Sequence, residues 1–420
     1  MHRSTLPRRP TVSTRKQHAK SKNTAARAGM LALGLALASG AKAQSSVQLY
    51  GLVDMAVAYS SADPGGAFAA TNKARSSVSM NGNNMSTSFF GISGTEELGN
   101  GYKALFKMEA FFRPDTGSAG RTVNDVLFGR ESYVGLTGPW GEVKLGKPLT
   151  SMGLSTYFTS AYGFSPMFDP MFRQLYTGTF AGVNNTSYIG NALPLDAEWG
   201  NSISYTSPNF GPFSFGANVG FAELAGANSK IHVGANALYF GGPLTATIAY
   251  QRVALGGGNT RGGTWPTFYP TPNADFPNPN DGFKMGDVGA APTLSYQATY
   301  FAGMSYKFDF MSLYSQFAHV ANEGSSSGSQ HDTTVTLGTK IPAGSGYFTA
   351  AYGHTWQTSG FGLTDGRRDT VSVSYNYNLS KRSDLYAAYR FDKFSADGPG
   401  NFVQSTVPTH YVALGMRHRF

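Results

Sequence analysis

Across most of the chain, apolar and polar residues alternate with a period of two, the pattern of strands that put one face against apolar surroundings and the other against water. In 213–221 the positions Phe213, Phe215, Ala217, Val219 and Phe221 are apolar, and those between them are small or polar. The alternation returns as Leu244, Ala246, Ile248 and Tyr250, as Val371, Val373, Tyr375, Tyr377 and Leu379, and as Leu385, Ala387, Tyr389 and Phe391. No helical period of useful length competes with it. The pattern predicts about sixteen strands, beginning near residues 47, 86, 101, 126, 141, 201, 213, 230, 243, 294, 311, 333, 346, 368, 384 and 410. A soluble sandwich alternates too, so the connections decide. Short turns recur at 96–101, 137–141, 208–212 and 380–384, whereas the connections at about 150–200 and 255–293 are long and rich in Gly, Pro and Asn. Short turns at one end and long loops at the other predict an all-β fold, a transmembrane antiparallel β-barrel. An even strand number closes it without an edge, as lipid requires because it offers backbone groups no hydrogen bonds.

Composition removes the helical alternative. Hydrophobic residues are 41% and mean hydropathy is −0.23, with no run of the roughly twenty apolar residues that a membrane helix needs. The 23 Tyr and 30 Phe supply the aromatic girdles of a barrel at its two interfaces. Cysteine is absent, which excludes disulfides, thiolate metal sites and thiol nucleophiles. At the N-terminus Arg3, Arg8, Arg9, Arg15, Lys16, Lys20, Lys22 and Arg27 precede an apolar run over 28–38 and then Ala41-Lys42-Ala43. This order is that of a secretory signal peptide cleaved between Ala43 and Gln44, so that 44–420 form the barrel. The leader also explains the charge. The chain has 33 basic and 24 acidic residues, but 1–43 hold nine basic and no acidic ones, leaving 24 (33 − 9) against 24. The net +9 thus belongs to the leader, and no nucleic-acid partner is expected.

The final segment, Tyr411-Val412-Ala413-Leu414-Gly415-Met416-Arg417-His418-Arg419-Phe420, alternates up to a terminal aromatic. Phe420 so placed resembles the signal read by the outer-membrane barrel assembly machinery. Further stretches are Ser46-Val47-Gln48-Leu49-Tyr50-Gly51-Leu52-Val53-Asp54, the run from Gly91-Ile92-Ser93-Gly94-Thr95-Glu96-Glu97 to Ala104, and Arg130-Glu131-Ser132-Tyr133-Val134-Gly135-Leu136. Asn201-Ser202-Ile203-Ser204-Tyr205-Thr206-Ser207-Pro208 and Tyr377-Asn378-Leu379-Ser380-Lys381-Arg382-Ser383-Asp384-Leu385-Tyr386 follow. With these six collinear stretches the chain resembles the trimeric general porins of the β-proteobacterial type. The resemblance implies a sixteen-stranded barrel in the outer membrane of a Gram-negative bacterium, a homotrimer through the first strands, and a third external loop, here about 150–200, folded inward as a constriction. It implies a water-filled channel for passive diffusion of ions and small polar solutes. Outer-membrane lipid and lipopolysaccharide surround it, and no cofactor is needed.

In such a channel the chemistry is electrostatic filtering at a narrow throat. Strand parity points Asp54, Lys103, Lys107, Glu109, Arg390, Asp392, Arg417 and Arg419 inward, where each either filters or is merely solvated wall. Arg130 matches a position where the family carries a basic-ladder arginine. The family pattern departs at Phe89, Ser93 and 197–199, where Ala197, Glu198 and Trp199 stand near usually basic places. In the inward loop, Asp169 and Arg173 sit four apart beside Pro166 and Pro170, either in a short helix or turn facing the ladder or as a loop-internal ion pair. The loop aromatics, Tyr157, Phe158, Tyr162, Phe164, Phe168, Phe172, Tyr176 and Phe180, either line the pore or pack the loop down, and packing is the favoured expectation. Near-balance of charge predicts weak ion selectivity of undetermined sign. The six histidines beyond the leader sit in no nucleophile-and-base motif, so an enzyme is not expected, and His354 and His418 have outward parity.

Overall fold

A computed structural model describes residues 46–61, 76–121, 125–175, 197–221, 231–254, 294–324, 329–358, 365–397 and 408–420. The leader with Ala43 and Gln44, the connection 255–293, and Tyr176 and Phe180 lie outside them. The strands are β1 (Ser46–Ser60), β2 (Ser77–Gly82), β3 (Phe89–Gly99), β4 (Tyr102–Arg113), β5 (Ser118–Ala119), β6 (Glu131–Gly138), β7 (Gly141–Lys147), β8 (Ser202–Thr206) and β9 (Phe213–Gly220). They continue as β10 (His232–Gly241), β11 (Leu244–Ala254), β12 (Leu294–Lys307), β13 (Ser312–Gly324), β14 (Ser329–Ala343), β15 (Gly346–Thr358), β16 (Asp365–Asn378), β17 (Ser383–Asp397) and β18 (Thr409–Arg419). Two short helices, α1 (Ser151–Phe158) and α2 (Pro170–Leu175), lie between β7 and β8.

Neighbouring staves pair antiparallel in chain order, and β18 returns to β1, which closes the ring. Two of the eighteen segments are not separate staves. β2 pairs with the Met55–Ser60 end of β1 and β3 with its Ser46–Leu52 end, so together they make one interrupted stave. β5 is a two-residue pairing on the end of β4. The barrel therefore has sixteen staves, an even number with no open edge.

The interruption has a chemical cause. Asn83 takes φ 64°, and the amides of Met85 and Ser86 turn away from the ladder to donate to the Asp54 carboxylate at 2.7 and 2.6 Å. The start expected near 126 also moves, to Glu131. Val126 and Leu127 mimic a strand but stand exposed in a turn stapled by Arg121 and Asp125 at 2.9 Å. The starts expected near 86, 333 and 368 fall at 89, 329 and 365, and the others lie within two residues.

Burial runs opposite to that of a soluble protein. On the outer face Ile248 is 64% exposed and Leu414 61%, while Thr299 and Ser372 on the inner face are 0% exposed. Apolar outside and polar inside is the arrangement lipid selects. Rings gather in two outer belts. Phe213 with Tyr239 and Phe348 with Tyr375 lie near the short turns, and Tyr250 with Tyr300 and His354 with Trp356 towards the loops. Closure ends on the last residue, since Phe420 and Gly51 exchange both backbone hydrogen bonds at 3.1 Å.

Candidate functional site

The segment after β7 lies against the polar parity of the wall, which places it inside the barrel. Thr150 caps α1 by accepting from the Gly153 amide at 3.0 Å, as an N-terminal hydroxyl does. Wall side chains then hold the helix: Asn236 donates to Ser151 O and Ser155 Oγ, Thr247 to Ser155 Oγ, and Gln316 to Thr156 O, all at 2.9–3.0 Å. Thr159 packs over Gly303, where a Cβ would collide with it. Beneath the helices the inner wall turns apolar. Ala249, Phe301, Ala318 and Val320 form a buried cluster with Met152, Met171 and Leu175. Burying the Met, Leu, Phe and Val side chains of this cluster contributes about 1.5–3 kcal/mol each.

The segment continues across the lumen through Tyr162, whose hydroxyl donates to Thr349 O, and Ser165, which donates to Asn84 O. Asp169 then caps α2, accepting from the amides of Met171 and Phe172 at 3.0 and 3.2 Å and from the Ser160 hydroxyl. Burial pushes the Asp169 carboxyl above the ordinary range, opposed by the Ser160 hydroxyl and these amides. Arg173 reaches the other way, to Asp392 at 3.4 Å. Asp392 is also met by Arg368 at 3.1 Å, Arg390 at 2.6 Å and the Thr370 hydroxyl at 2.6 Å, and Arg390 donates to Met167 O. Three buried guanidiniums around one carboxylate therefore latch α2 to β16 and β17. A second buried group joins Asp54 to the Tyr386 hydroxyl at 2.6 Å, while Arg417 binds Asp384 at 3.0 Å and Ser86 at 2.8 Å.

The docking contacts fall on β9–β18, on β1 and on Asn84, while the inner face of β3–β7 carries a row of partly exposed charges. Arg130 meets Glu109 and stacks over Phe89 at 4.1 Å. Lys107 pairs with Glu131 at 2.9 Å, Lys144 with Glu142 at 2.7 Å and Lys103 with Glu97 at 2.5 Å. Lys107 and Lys144 both sit over the Tyr133 ring, at 5.9 and 5.0 Å, and the Tyr50 hydroxyl donates to Glu109 at 2.6 Å. Each of these four cations is thus paired with a carboxylate.

Of the residues singled out from sequence, Arg130, Lys103 and Lys107 keep exposed surface inside the barrel. Asp54, Glu109, Asp169, Arg173 and Arg390 are buried, their charges engaged by other groups. Asp169 and Arg173 do share a short helix, as cap and last turn, but Arg173 faces the Asp392 latch and not Arg130. The loop rings divide: Tyr162, Phe168 and Phe172 are buried, whereas Tyr157 and Phe158 are 49% and 38% exposed. Sequence reading passed over Arg368, Lys144 and Tyr133, although all three share the parity of inward neighbours and were legible on that ground.

Comparisons with known proteins agree with this geometry. A family model described as Gram-negative porin matches residues 28–397. Outer membrane porin protein 32 of Delftia acidovorans is 29% identical over 93% of this chain and 99% of its own length. An outer membrane porin of Bordetella pertussis is 26% identical over 93% and 98%. Among solved structures, the anion-selective porin from Comamonas acidovorans superposes with a TM-score of 0.68 at 25% identity, covering 90% of this chain and all of that one. The outer-membrane protein OmpT of Vibrio cholerae, at 12% identity and a TM-score of 0.58 over 90% of this chain and 98% of that one, shares the fold.

Proposed function

As the chain belongs to the Gram-negative porin family and is an outer-membrane channel for passive diffusion, we propose that its throat lies between the α1–α2 segment and the charged wall of β3–β7, with a weak preference for anions. The observation that carries this is the partial docking of the inner segment. It covers β9–β18 and part of β1 and leaves the ion-paired face of β3–β7 as the lining of the remaining space. Paired charges in an aqueous pore give little bias, since salt screens them beyond about 8 Å. The excess comes from the Asp392 latch, where three guanidiniums face one carboxylate, and it favours anions. The likeness to the anion-selective porin from Comamonas acidovorans supports the sign. Lys103, Lys107 and Arg130 act in this reading as lining, and Glu109, Asp54, Asp169, Arg173 and Arg390 as the groups that shape it.

The reading extends to assembly. Residues 1–43 direct export and are removed before Gln44. The mature chain forms a homotrimer through the first strands, whose outward residues include Val47, Leu49, Val57 and Tyr59. The barrel assembly machinery recognises Phe420, and lipopolysaccharide packs around the aromatic belt that lies towards the loops. Zero-current potentials across a planar bilayer under a potassium chloride gradient test the throat. A small potential of anion-selective sign is expected, and a strong cation preference would overturn the assignment.

A further inference from the structure

We propose that the throat carries a binding site for zwitterionic solutes with an aromatic ring, the class of the aromatic amino acids; this rests on the channel reading. Its first half is the wall of β4, β6 and β7, the third, fourth and fifth of the sixteen staves. Arg130, Lys107 and Lys144 stand there in contact with Glu109, Glu131 and Glu142, and the Tyr133 and Phe89 rings lie beneath the cations at 4.1–5.9 Å. A lone anion entering this row meets a carboxylate beside every cation, and a lone cation meets the reverse. A zwitterion adds a complementary pair to an existing pair and leaves no charge unmatched, which is the condition for binding charged groups in a partly desolvated place.

The second half is a ridge of rings on the inner segment. Tyr157 and Phe158 are exposed, Tyr157 contacts Phe164 at 5.4 Å, and Phe158 meets Phe240 of the inner wall at 5.2 Å. Phe164 takes φ 59°. This left-handed conformation is costly for a bulky residue and gathers where function requires it. The helices dock on the seventh to tenth and twelfth to fourteenth staves. The stretch between them passes Gln316 and Thr349, on the eleventh and thirteenth. In a ring of sixteen these lie opposite the third to fifth. Phe164 belongs to this stretch and Tyr157 contacts it, so these rings and the balanced ion pairs stand on opposite sides of one passage, while Phe158 lies against the eighth stave.

The test is block of potassium chloride current through the reconstituted wild-type channel by phenylalanine. The controls are leucine, which lacks the ring, 3-phenylpropionate, which lacks the ammonium, and 2-phenylethylamine, which lacks the carboxylate. Phenylalanine is expected to half-block at about a tenfold lower concentration than leucine, the scale of one good aromatic contact, and below both singly charged analogues. Tyr157→Leu should narrow the gap to leucine. The double variant Glu142→Gln with Lys144→Gln, which removes one pair without changing net charge, should narrow the gap to the analogues. Equal block by leucine, equal block by 3-phenylpropionate, or an unchanged order in both variants would overturn the site. Salt conductance without solute reports the channel independently, so a failure to conduct counts against the porin reading instead.

Discussion

Arg130 is held between opposing partners, Glu109 and the Phe89 ring, with Glu131 at 4.0 Å. Arg130→Glu reverses one charge among these carboxylates and changes the local sum by two. Because the site is partly exposed, the effect is expected as a shift of zero-current potential towards cations, larger at low salt where screening is weak; an unmoved potential would take Arg130 out of the throat. Asp169 offers a different residue-scale test. Burial raises its carboxyl above the ordinary range in the folded protein, so the folded state holds the proton more firmly than the unfolded chain. That contribution is complete below the unfolded value and is lost as pH rises through the folded one. Asp169→Asn keeps an acceptor for the Met171 and Phe172 amides and removes the titration. It should match the wild type in heat resistance at acid pH and equal or exceed it at pH 8, whereas Asp169→Ala should lose about 1 kcal/mol of capping at both. A drop for Asp169→Asn at pH 8 would show that the charge itself is needed.

At the scale of elements, period-two alternation made the sixteen staves legible because lipid outside and water inside impose it on every strand. It failed where side chains override the ladder, as at 83–88, where Asp54 captures two amides. The docking ground of the inner segment was also legible in principle. Ala249, Phe301, Ala318 and Val320 are apolar on the parity that should be polar, a local breach that marks a wall covered by something greasy. The latch was half legible: Arg173, Arg390 and Asp392 were inward candidates, but only the folded ring brings them together across 219 residues of sequence. Asp392→Asn removes the charge that three buried guanidiniums share, a loss on the order of 3–5 kcal/mol for a buried ion pair. α2 should then leave β16 and β17, giving a larger and noisier conductance in a barrel that still resists unheated SDS. Conductance equal to wild type would show that the latch does not hold the throat.

At the scale of the whole molecule, everything depends on closure, and the last residue takes part in it. Phe420 and Gly51 exchange two backbone hydrogen bonds, and the Phe420 ring covers Gly51. This terminal residue has two roles that experiment can separate: it completes the β18–β1 ladder, and its ring is the proposed signal for the assembly machinery. Deleting Phe420 removes both. Phe420→Ala keeps the backbone bonds and loses only the ring. In detergent refolding, where no machinery is present, the deletion should lower the yield of heat-modifiable barrel, since each lost backbone pairing leaves groups unsatisfied in the membrane's vicinity, while Phe420→Ala should refold nearly as the wild type does. In cells, both variants should accumulate less barrel in the outer membrane. If Phe420→Ala reaches wild-type levels in cells, the ring is not read and closure alone explains the terminal position; if it fails equally in detergent, the ring acts by packing and the signal role is refuted.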